Sequence, residues 1–279
     1  MQTFTEPNSI IQTSVVAKSF TQAASGYDGE PLKFLKYSAE FLIKNLALRT
    51  PQKVLDVATG TGKAAILSAP AVLPAGFVTA VDISEGMLQK AKYNATQAAI
   101  NNIEFIQTHS EKLDFEDESF DVTLCSSGIY IMRDIPQCLR EWKRVTKKGG
   151  RVAFSTFGKG ILEPMMSMFE SSLRSYGVKI YSPSPLYRLN KKDDCQILLE
   201  SVGLHDIKVF IKQGSYYIPS AKEWIDIIKN SGFRIPLERL EQKYLNQFIE
   251  EHEEAVSQLS TNKGIYLETP IIIAIGKKI

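Results

Sequence analysis

The segment VLDVATGTG, residues 54–62, joins a short apolar run to an acid and then to a turn of small residues. Small residues let backbone amides approach a ligand closely, because a Cβ would otherwise fill that space. A second apolar run, VTAVD at residues 78–82, also ends in a carboxylate. An acid at the carboxyl end of a strand is suited to accept both ribose hydroxyls of an adenosine. Together the two segments predict an adenosine-type cofactor lying across the ends of parallel strands.

Short β-branched runs alternate with amphipathic stretches from residue 53 to residue 157. This alternation is typical of a parallel sheet with helices on both faces, so we predict an α/β, Rossmann-like fold. The predicted strands span residues 54–58, 77–82, 103–107, 121–126 and 151–156. The predicted helices span residues 63–71, 85–100 and 135–145, with Ser84 as the N-cap of the second. The run KKGG at residues 147–150 is predicted to turn from the third helix into the fifth strand.

The rest of the chain is predicted to add cap pieces and further core elements. A Met- and aromatic-rich segment at residues 162–176 and a capping box at residues 220–223 open two insertions. A helix at 191–201 and a strand at 207–211 return to the core pattern, and residues 266–275 form one final strand. The predicted parts are an N-terminal helical lid at 1–50, a cofactor-binding core at 51–158, a cap insertion at 159–189, a core continuation at 190–213, a helical cap at 214–262 and a final core strand at 263–279.

The glycine-containing turn alone is compatible with two cofactors. Residues 60–65, GTGKAA, also satisfy the GxGxxA pattern, and Asp82 stands at a suitable distance for the ribose acid of a dinucleotide site. Asp56 separates the two, because a carboxylate beside the turn repels a pyrophosphate but can receive the ammonium of a methionine moiety. The residues therefore favour S-adenosylmethionine. A NAD(P)-dependent oxidoreductase and a noncatalytic S-adenosylmethionine-binding module are the alternatives.

Four motifs follow one another in order: VLDVATGTG, VDISEGMLQKAK, IEFIQTHSEKLDFEDESFDVTLCSSG and REWKRVTKKGGRVAFSTF. On these motifs the chain, from about residue 25 to residue 156, resembles the ubiquinone/menaquinone-biosynthesis-like class I methyltransferases, the type 11 group. The resemblance implies an S-adenosylmethionine-dependent methyltransferase that releases S-adenosylhomocysteine. It also implies a seven-stranded, mostly parallel sheet whose last strand is antiparallel and which carries helical cap insertions.

The resemblance further implies which residues hold the cofactor. The loop residues near its methionine part would be Asp56, Ala58, Thr59, Gly60 and Gly62. Asp82 would hold the ribose, and Ile83 and Met87 would pack near the adenine. Tyr27 matches an N-terminal aromatic residue that closes over the cofactor in this family.

Two further segments complete the implied site. The family carries a GDAE-like segment after the third strand, whose acid accepts from the adenine amino group. Here the segment reads THSE, so His109 replaces that acid, and Ser110 or a backbone carbonyl can serve beside Glu111. Ser126 and Ser127 would lie beside the sulfonium and the methyl acceptor.

A general base is not fixed by the sequence. If the reaction needs one, the candidates are Tyr27, His109 and Tyr187. Tyr187 also begins a YxxxK match, as in short-chain dehydrogenases, but in a proline-broken stretch where chance explains it. His205 and His252 are predicted to be solvated surface residues. Because no histidine or carboxylate cluster has metal-ligand spacing, we predict no metal site.

The charge balance and the apolar residues indicate the kind of partner. There are 33 basic and 31 acidic residues, a net charge of +2, so the chain lacks the basic field that drives nucleic-acid binding. Met165, Met166 and Met168 beside Phe169 suit an apolar substrate pocket. We therefore predict a small, largely apolar acceptor, quinone-like or a secondary metabolite, methylated on oxygen, carbon or nitrogen.

Cysteine spacing and hydropathy indicate the compartment. Cys125, Cys138 and Cys195 lie far apart, which predicts neither a disulfide framework nor a zinc site. No apolar stretch approaches the roughly 20 residues that span a bilayer, and the first residues lack the pattern of a secretory signal. We predict a cytoplasmic protein without a membrane span, and the oligomeric state stays open.

Overall fold

The computed structural model describes residues 12–180 and 184–279. Its helices are α1 (Thr13–Ala23), α2 (Lys33–Leu46), α3 (Lys63–Val72), α4 (Glu85–Gln97), α5 (Ile135–Val145), α6 (Met165–Ser175), α7 (Lys192–Ser201), α8 (Ala221–Lys229), α9 (Arg234–Leu237) and α10 (Leu245–Ser257). Its strands are β1 (Lys53–Val57), β2 (Phe77–Asp82), β3 (Ile103–Gln107), β4 (Phe120–Ser126), β5 (Thr146–Phe157), β6 (His205–Lys212), β7 (Ser215–Ile218), β8 (Ile265–Glu268) and β9 (Ile271–Lys277). Residues 1–11, which include the start of the predicted lid and the segment considered for a secretory signal, lie outside the described residues. Residues 181–183 of the proline-rich stretch also lie outside them. Within the described ranges, no helix is long and apolar enough to cross a bilayer.

Seven strands form one sheet in the order β3-β2-β1-β4-β5-β9-β6. Val54 of β1 lies opposite Val78 of β2 on one side and Val122 of β4 on the other, and both pairings are parallel. Strand β9 runs antiparallel to both of its neighbours, β5 and β6. This arrangement confirms the predicted Rossmann-like class and its antiparallel last strand. Because the chain moves outward from β1 in both directions, a crevice opens between β1 and β4 at their carboxyl ends.

The central strands are apolar on both faces because helices cover the sheet on both sides. Successive residues of β1 point to opposite faces. Leu55 packs in the cluster that contains Trp142 of α5, whereas Val54 packs in the cluster that contains Leu42 of α2 and Ala65 of α3. All five side chains are fully buried. The two apolar clusters, one on each face of the sheet, hold the carboxyl end of β1 and the loop that follows it in position.

The final strand differs from its prediction. Residues 266–275 were expected as one strand, but the chain makes β8 and β9, separated by Thr269 and Pro270. Pro270 has no backbone N–H with which to continue the strand pairing. The amide of the preceding residue, Thr269, donates to the Gly214 carbonyl at 2.7 Å. Strand β8 leaves the main sheet there and pairs antiparallel with β7, a strand the sequence did not predict. The single-strand prediction is therefore wrong.

The start of β5 also differs from its prediction. Helix α5 ends at Val145 as predicted, but β5 begins at Thr146, so residues 147–150 lie in the strand rather than in a turn. The pairing with β4 shifts register between Phe120 and Val122, and Gly149 has a positive φ of 76°. An irregularity of this kind lets a glycine pair stay inside a strand. The other strand and helix predictions agree with the structure to within a few residues at their ends.

The segments predicted as cap insertions pack in one apolar core with Phe34 of α2 and Phe157 of β5, and a buried histidine lies beside this core. His252 of α10 was predicted to be solvated, but it is 1% exposed. Its Nε2 accepts from Trp224 Nε1 of α8 at 2.9 Å, its Nδ1 lies 3.3 Å from Ser172 Oγ of α6, and its ring stacks on Phe248. The acidic sequence around residue 252 hid an apolar helix face. The side chain thus joins three cap helices.

This burial gives a pH-dependent contribution to stability. Desolvation lowers the pKa of His252 to about 4, from an ordinary value near 6.5. The folded protein therefore holds the neutral ring, and the contribution is complete above pH 6.5 and lost as the pH falls towards 4. We expect the free energy of unfolding of the protein to fall by about 3 kcal/mol more than that of His252→Gln over this interval. Urea unfolding at several pH values measures the difference, and parallel pH profiles would show that the ring is solvated.

Candidate active site

The loop after β1 bends over the ends of β1 and β2. Ala58 and Gly60 have positive φ values of 53° and 57°, a conformation that favours residues with little or no side chain. The Thr59 amide donates to the Val81 carbonyl at 2.9 Å, and the Gly60 amide donates to Asp82 Oδ2 at 2.8 Å. The VATGTG sequence therefore folds into a turn held by the neighbouring strand. The turn leads directly into α3.

Asp82 is held at the carboxyl end of β2 by two backbone amides. Its Oδ2 accepts from Gly60, and its Oδ1 accepts from the Ser84 amide at 2.8 Å. Ser84 caps α4, as predicted, by accepting from the Met87 amide at 3.2 Å. Asp82 is 9% exposed, and burial raises the pKa of its carboxyl above the ordinary value. The carboxylate is thus fixed in orientation and retains accepting capacity toward the crevice.

Asp56 lies beneath the loop rather than in it. The side chain is fully buried, and its Oδ2 accepts from Thr59 Oγ1 at 2.6 Å. Its Oδ1 has no hydrogen-bond partner among the residues that the structure describes. Burial raises the pKa of this carboxyl to about 7, against the lowering effects of the Thr59 hydroxyl and the Ala65 backbone amide. Buried polar atoms are usually paired, so Oδ1 retains capacity to accept from a further donor.

A cleft of about 900 Å³, including its open mouth, lies along the strand ends. Eleven residues named from the sequence line it: Tyr27, Ala58, Gly60, Asp82, Ile83, Met87, His109, Ser110, Glu111, Ser126 and Ser127. Thr59 lines a small adjoining cavity, which also touches Tyr27. Asp56 and Gly62 line neither space. Gly62 instead allows the start of α3 to pack closely against α4, since a Cβ there would lie only 3.1 Å from Ala91 Cβ of α4.

Tyr27 is held over the loop by its neighbour Asp28. Asp28 accepts from Thr61 Oγ1 at 2.6 Å and from Asn94 Nδ2 at 2.8 Å, and it forms an ion pair with Lys63. The Lys63 ammonium also lies 5.0 Å from the centre of the Tyr27 ring. The pKa of Asp28 is lowered by Lys63, against the opposing effect of its partial burial. The ring therefore lies between the cleft and the smaller cavity.

The serine at the end of β4 belongs to a buried hydroxyl network. Ser127 Oγ donates to Ser38 Oγ at 2.7 Å, and Ser38 Oγ donates to Ser155 Oγ at 2.8 Å. The Ser127 amide also donates to Ser155 Oγ at 3.0 Å. The network holds Ser127 at a positive φ of 57°. The bend directs the following segment away from the sheet and along the cleft.

The other two candidates for a general base, His109 and Tyr187, differ in their distance from the cleft. His109 is exposed at the rim of the cleft. Ser110 is fixed through its carbonyl, which accepts from Trp142 Nε1 at 3.1 Å. Tyr187 lies on the cap side, where its hydroxyl donates to Glu163 Oε1 at 2.9 Å, and it lines none of the cavities described here. The structure therefore brings Tyr27 and His109 to the cleft and leaves Tyr187 outside it.

Several cleft residues were not predicted. Thr13, Val16 and Phe20 of α1 line one side, and Ile131 and Met132 line the part that follows β4. The helical spacing of the three α1 residues was a signal that could have identified a lid face. No local signal marks the other two residues, because their place depends on the bend at Ser127.

A second cavity of about 620 Å³, including its open mouth, adjoins the cleft and shares Ile131 with it. Its lining is largely apolar, with Met166 and Phe169 of α6 on one side and Phe233 and Ile235 on the other. Both cap insertions therefore face this space. A small number of polar groups in an otherwise apolar cavity is typical of a small-molecule site.

Comparison with known proteins decides between the cofactors considered above. The sequence profile of the ubiE/COQ5 methyltransferase family matches residues 11–204. The chain belongs to this family. A ubiquinone/menaquinone biosynthesis C-methyltransferase from Escherichia coli K12 is 30% identical over 199 residues, which cover 70% of this chain and 78% of the relative. One from Pasteurella multocida is 29% identical over 204 residues, which cover 71% and 75%.

Solved structures of methyltransferases share the fold. A putative methyltransferase from Bacillus halodurans matches 87% of this chain and 99% of its own, at 21% identity and a TM-score of 0.60. A Haemonchus contortus phosphoethanolamine N-methyltransferase, bound to phosphomonomethylethanolamine and S-adenosylhomocysteine, matches 98% of this chain and 62% of its own, at 15% identity and a TM-score of 0.60. The chain is thus an S-adenosylmethionine-dependent methyltransferase acting on a small molecule. The oxidoreductase alternative gains no support.

Proposed function

We propose that this methyltransferase transfers the methyl group to a ring carbon of a small, apolar, quinol-type acceptor. The observation that carries the proposal is the apolar cavity beneath the cap, which adjoins the strand-end cleft at Ile131. Quinols are flat and largely apolar, and the curated relatives from two bacteria are named as quinone-biosynthesis C-methyltransferases. The cavity would hold the ring while the cleft holds the cofactor.

The residues around the cleft suit S-adenosylmethionine. Asp82 would accept from the ribose hydroxyls, and Ile83 and Met87 offer apolar contacts for the adenine beside the segment that contains His109. Gly60 has a positive φ that favours glycine, and the turn lines the cleft where the methionine part would lie. The orphaned oxygen of Asp56 below the turn suits a nearby ammonium group.

In the proposed mechanism the protein acts mainly by positioning and by excluding water. Bound S-adenosylmethionine supplies a methyl group on a positively charged sulfur. An electron pair of the acceptor carbon forms the new bond to the methyl carbon, the old carbon–sulfur pair stays on sulfur, and the ring proton passes to a base, for which His109 at the rim of the cleft is a candidate. Proximity in such a site contributes roughly 7–11 kcal/mol to lowering the barrier. The apolar cavity, with Phe169 and Phe233, would keep water from the acceptor.

The raised pKa of Asp56 predicts proton release when the cofactor product binds. With a pKa of about 7 in the free protein, half of the carboxyls hold a proton at pH 7. An ammonium placed nearby lowers this pKa, so binding of S-adenosylhomocysteine is expected to release about half a proton from Asp56. Calorimetry in two buffers of different ionisation enthalpy measures the release. Asp56→Asn should lose it, and equal release in both proteins would remove Asp56 from the ammonium site.

Methyl transfer with carbon-13-labelled S-adenosylmethionine tests the proposed acceptor class. We expect a reduced naphthoquinol or benzoquinol to gain a carbon-bound methyl group, which NMR distinguishes from an oxygen-bound one. Met166→Trp, which fills the apolar cavity, should raise the KM of the quinol while S-adenosylhomocysteine affinity is retained. Labelling only of amines, or transfer to quinols unaffected by Met166→Trp, would contradict the proposed acceptor site.

We also propose that nucleic acid is not a substrate and that the enzyme works in the cytoplasm. The net charge of +2 gives little attraction for a polyanion, and the proposed acceptor cavity is covered by the cap helices. Cys125, Cys138 and Cys195 all lie in the described part of the chain and are free and buried, as suits a reducing compartment. Retention of activity in excess DNA and RNA tests the first point.

A further inference from the structure

Tyr130 lies at the boundary between the two spaces. It follows Gly128 in a short 3-10 turn, Ile129–Ile131, directly after the bend at the end of β4. Its ring packs 5.6 Å from the ring of Phe157, and the side chain lines the apolar cavity next to Ile131, which lines both spaces. The turn is held from the cap side by Arg188 Nη1, which donates to the Met132 carbonyl at 2.7 Å. These contacts hold the Tyr130 ring in place.

The hydroxyl of Tyr130 has no hydrogen-bond partner within residues 12–180 and 184–279, although the residue is only 8% exposed. Three other tyrosines of the cap region are paired: Tyr216 donates to the Pro31 carbonyl at 2.6 Å, and Tyr187 and Tyr176 donate to carboxylates. The hydroxyl oxygen is not one of the fully buried unpaired atoms of the described residues, so it keeps access to the cavity that Tyr130 lines. Phenylalanine would fill the same space without a polar group. The hydroxyl is thus a donor that the described residues leave free at the boundary of the two spaces.

The location of the hydroxyl indicates what would pair with it. The cavity that Tyr130 lines offers mostly methionine, leucine, isoleucine and phenylalanine surface, and its carboxylate, Glu170, is paired with Arg174 at 3.1 Å. Burial raises the pKa of the Tyr130 phenol, so at neutral pH it carries its proton and acts as a donor. Ser184 and Arg239 are the other polar residues that line the cavity. The Tyr130 hydroxyl is therefore available to donate to an acceptor atom on a molecule that enters the cavity.

We propose that the Tyr130 hydroxyl donates a hydrogen bond to a ring oxygen of the methyl acceptor. This inference rests on the proposed function and adds to it a residue that selects oxygenated rings over plain hydrocarbons. A bond to the oxygen fixes the rotation of the ring in its plane, and so determines which carbon faces the cleft. Tyr130 is in this account a substrate-binding residue that orients the acceptor.

Two probes of nearly equal shape separate the hydrogen bond from packing. 1-Naphthol and naphthalene differ by one oxygen, and each is titrated by ligand-observed NMR into protein saturated with S-adenosylhomocysteine. For Tyr130→Phe we expect about fivefold weaker binding of 1-naphthol, in the range of one net hydrogen bond, and unchanged binding of naphthalene. Because no protein hydrogen bond is lost, Tm and S-adenosylhomocysteine affinity should not fall. Tyr217→Phe, which removes an exposed hydroxyl outside the cavities, is the matched control.

The outcomes distinguish this inference from the proposed function. Equal binding of 1-naphthol to the wild-type protein and Tyr130→Phe would overturn the role of the hydroxyl while leaving the apolar acceptor site in place. Equal weakening of both probes would assign Tyr130 to packing and would also overturn the inference. Failure of both probes to bind the wild-type protein would contradict the acceptor site itself, and the inference would fail with it.

Discussion

Asp82→Ala is expected to weaken binding of S-adenosylhomocysteine by about 100-fold or more. The carboxylate would accept from two ribose hydroxyls, and hydrogen bonds to a charged group contribute about 1.5–3 kcal/mol each. The substitution also leaves the amides of Gly60 and Ser84 without the acceptors that hold the loop and the start of α4. Isothermal calorimetry of the purified variant measures the loss directly.

Asp82→Asn is the matched control for this prediction. The amide keeps one oxygen acceptor and nearly the same volume, but loses the charge and one accepting oxygen. Its affinity for S-adenosylhomocysteine should fall between those of the wild-type protein and Asp82→Ala. An unchanged affinity in Asp82→Ala, with Tm maintained, would mean that the ribose is held elsewhere.

Trp224→Ala is expected to lower the free energy of unfolding by about 3–5 kcal/mol, as is typical when a large buried aromatic side chain is removed. Trp224 is fully buried in the cap core, and its Nε1 is the donor to His252 Nε2. The loss would leave a void between α8 and α10 and an unpaired buried imidazole nitrogen. Urea unfolding followed by circular dichroism provides the measurement.

Trp224→Phe separates the void from the lost donor. Phenylalanine fills most of the space, so the destabilisation should be clearly smaller and should reflect mainly the unpaired nitrogen of His252. A loss below about 1 kcal/mol in Trp224→Ala would show that the cap insertions unfold independently of the sheet or contribute little to the stability of the protein. In both cases the cap would not form a rigid acceptor cavity.

The sheet could be predicted because its signals are local. Each central strand is a short apolar run bounded by turn residues, and Asp82 closes one such run at the end where open α/β sheets bind ligands. The loop residues from Ala58 to Gly60 follow from the same pattern. The chain order of parallel strands then brings His109 and Ser126 to the same edge without further information.

The rest depends on contacts between distant parts of the chain. The acidic neighbours of His252 indicated a solvated helix, and only packing against α6 and α8 makes that face buried. The separate pairing of β7 and β8 joins segments about fifty residues apart. The alternation of side chains in β1 places Asp56 beneath the turn, and its role beside the cofactor stays a prediction. Tyr130 gave no sequence signal because its importance lies in a hydroxyl without a protein partner.

A crystal structure with bound S-adenosylhomocysteine tests the central claim most directly. The account predicts that the ribose hydroxyls lie within hydrogen-bond distance of the Asp82 carboxylate and that the sulfur lies near Ser126 and Ser127, on the side of Ile131 and the apolar cavity. Adenine density in the cavity between Met166 and Phe233, or a nucleoside bound away from the β1 and β2 ends, would contradict it.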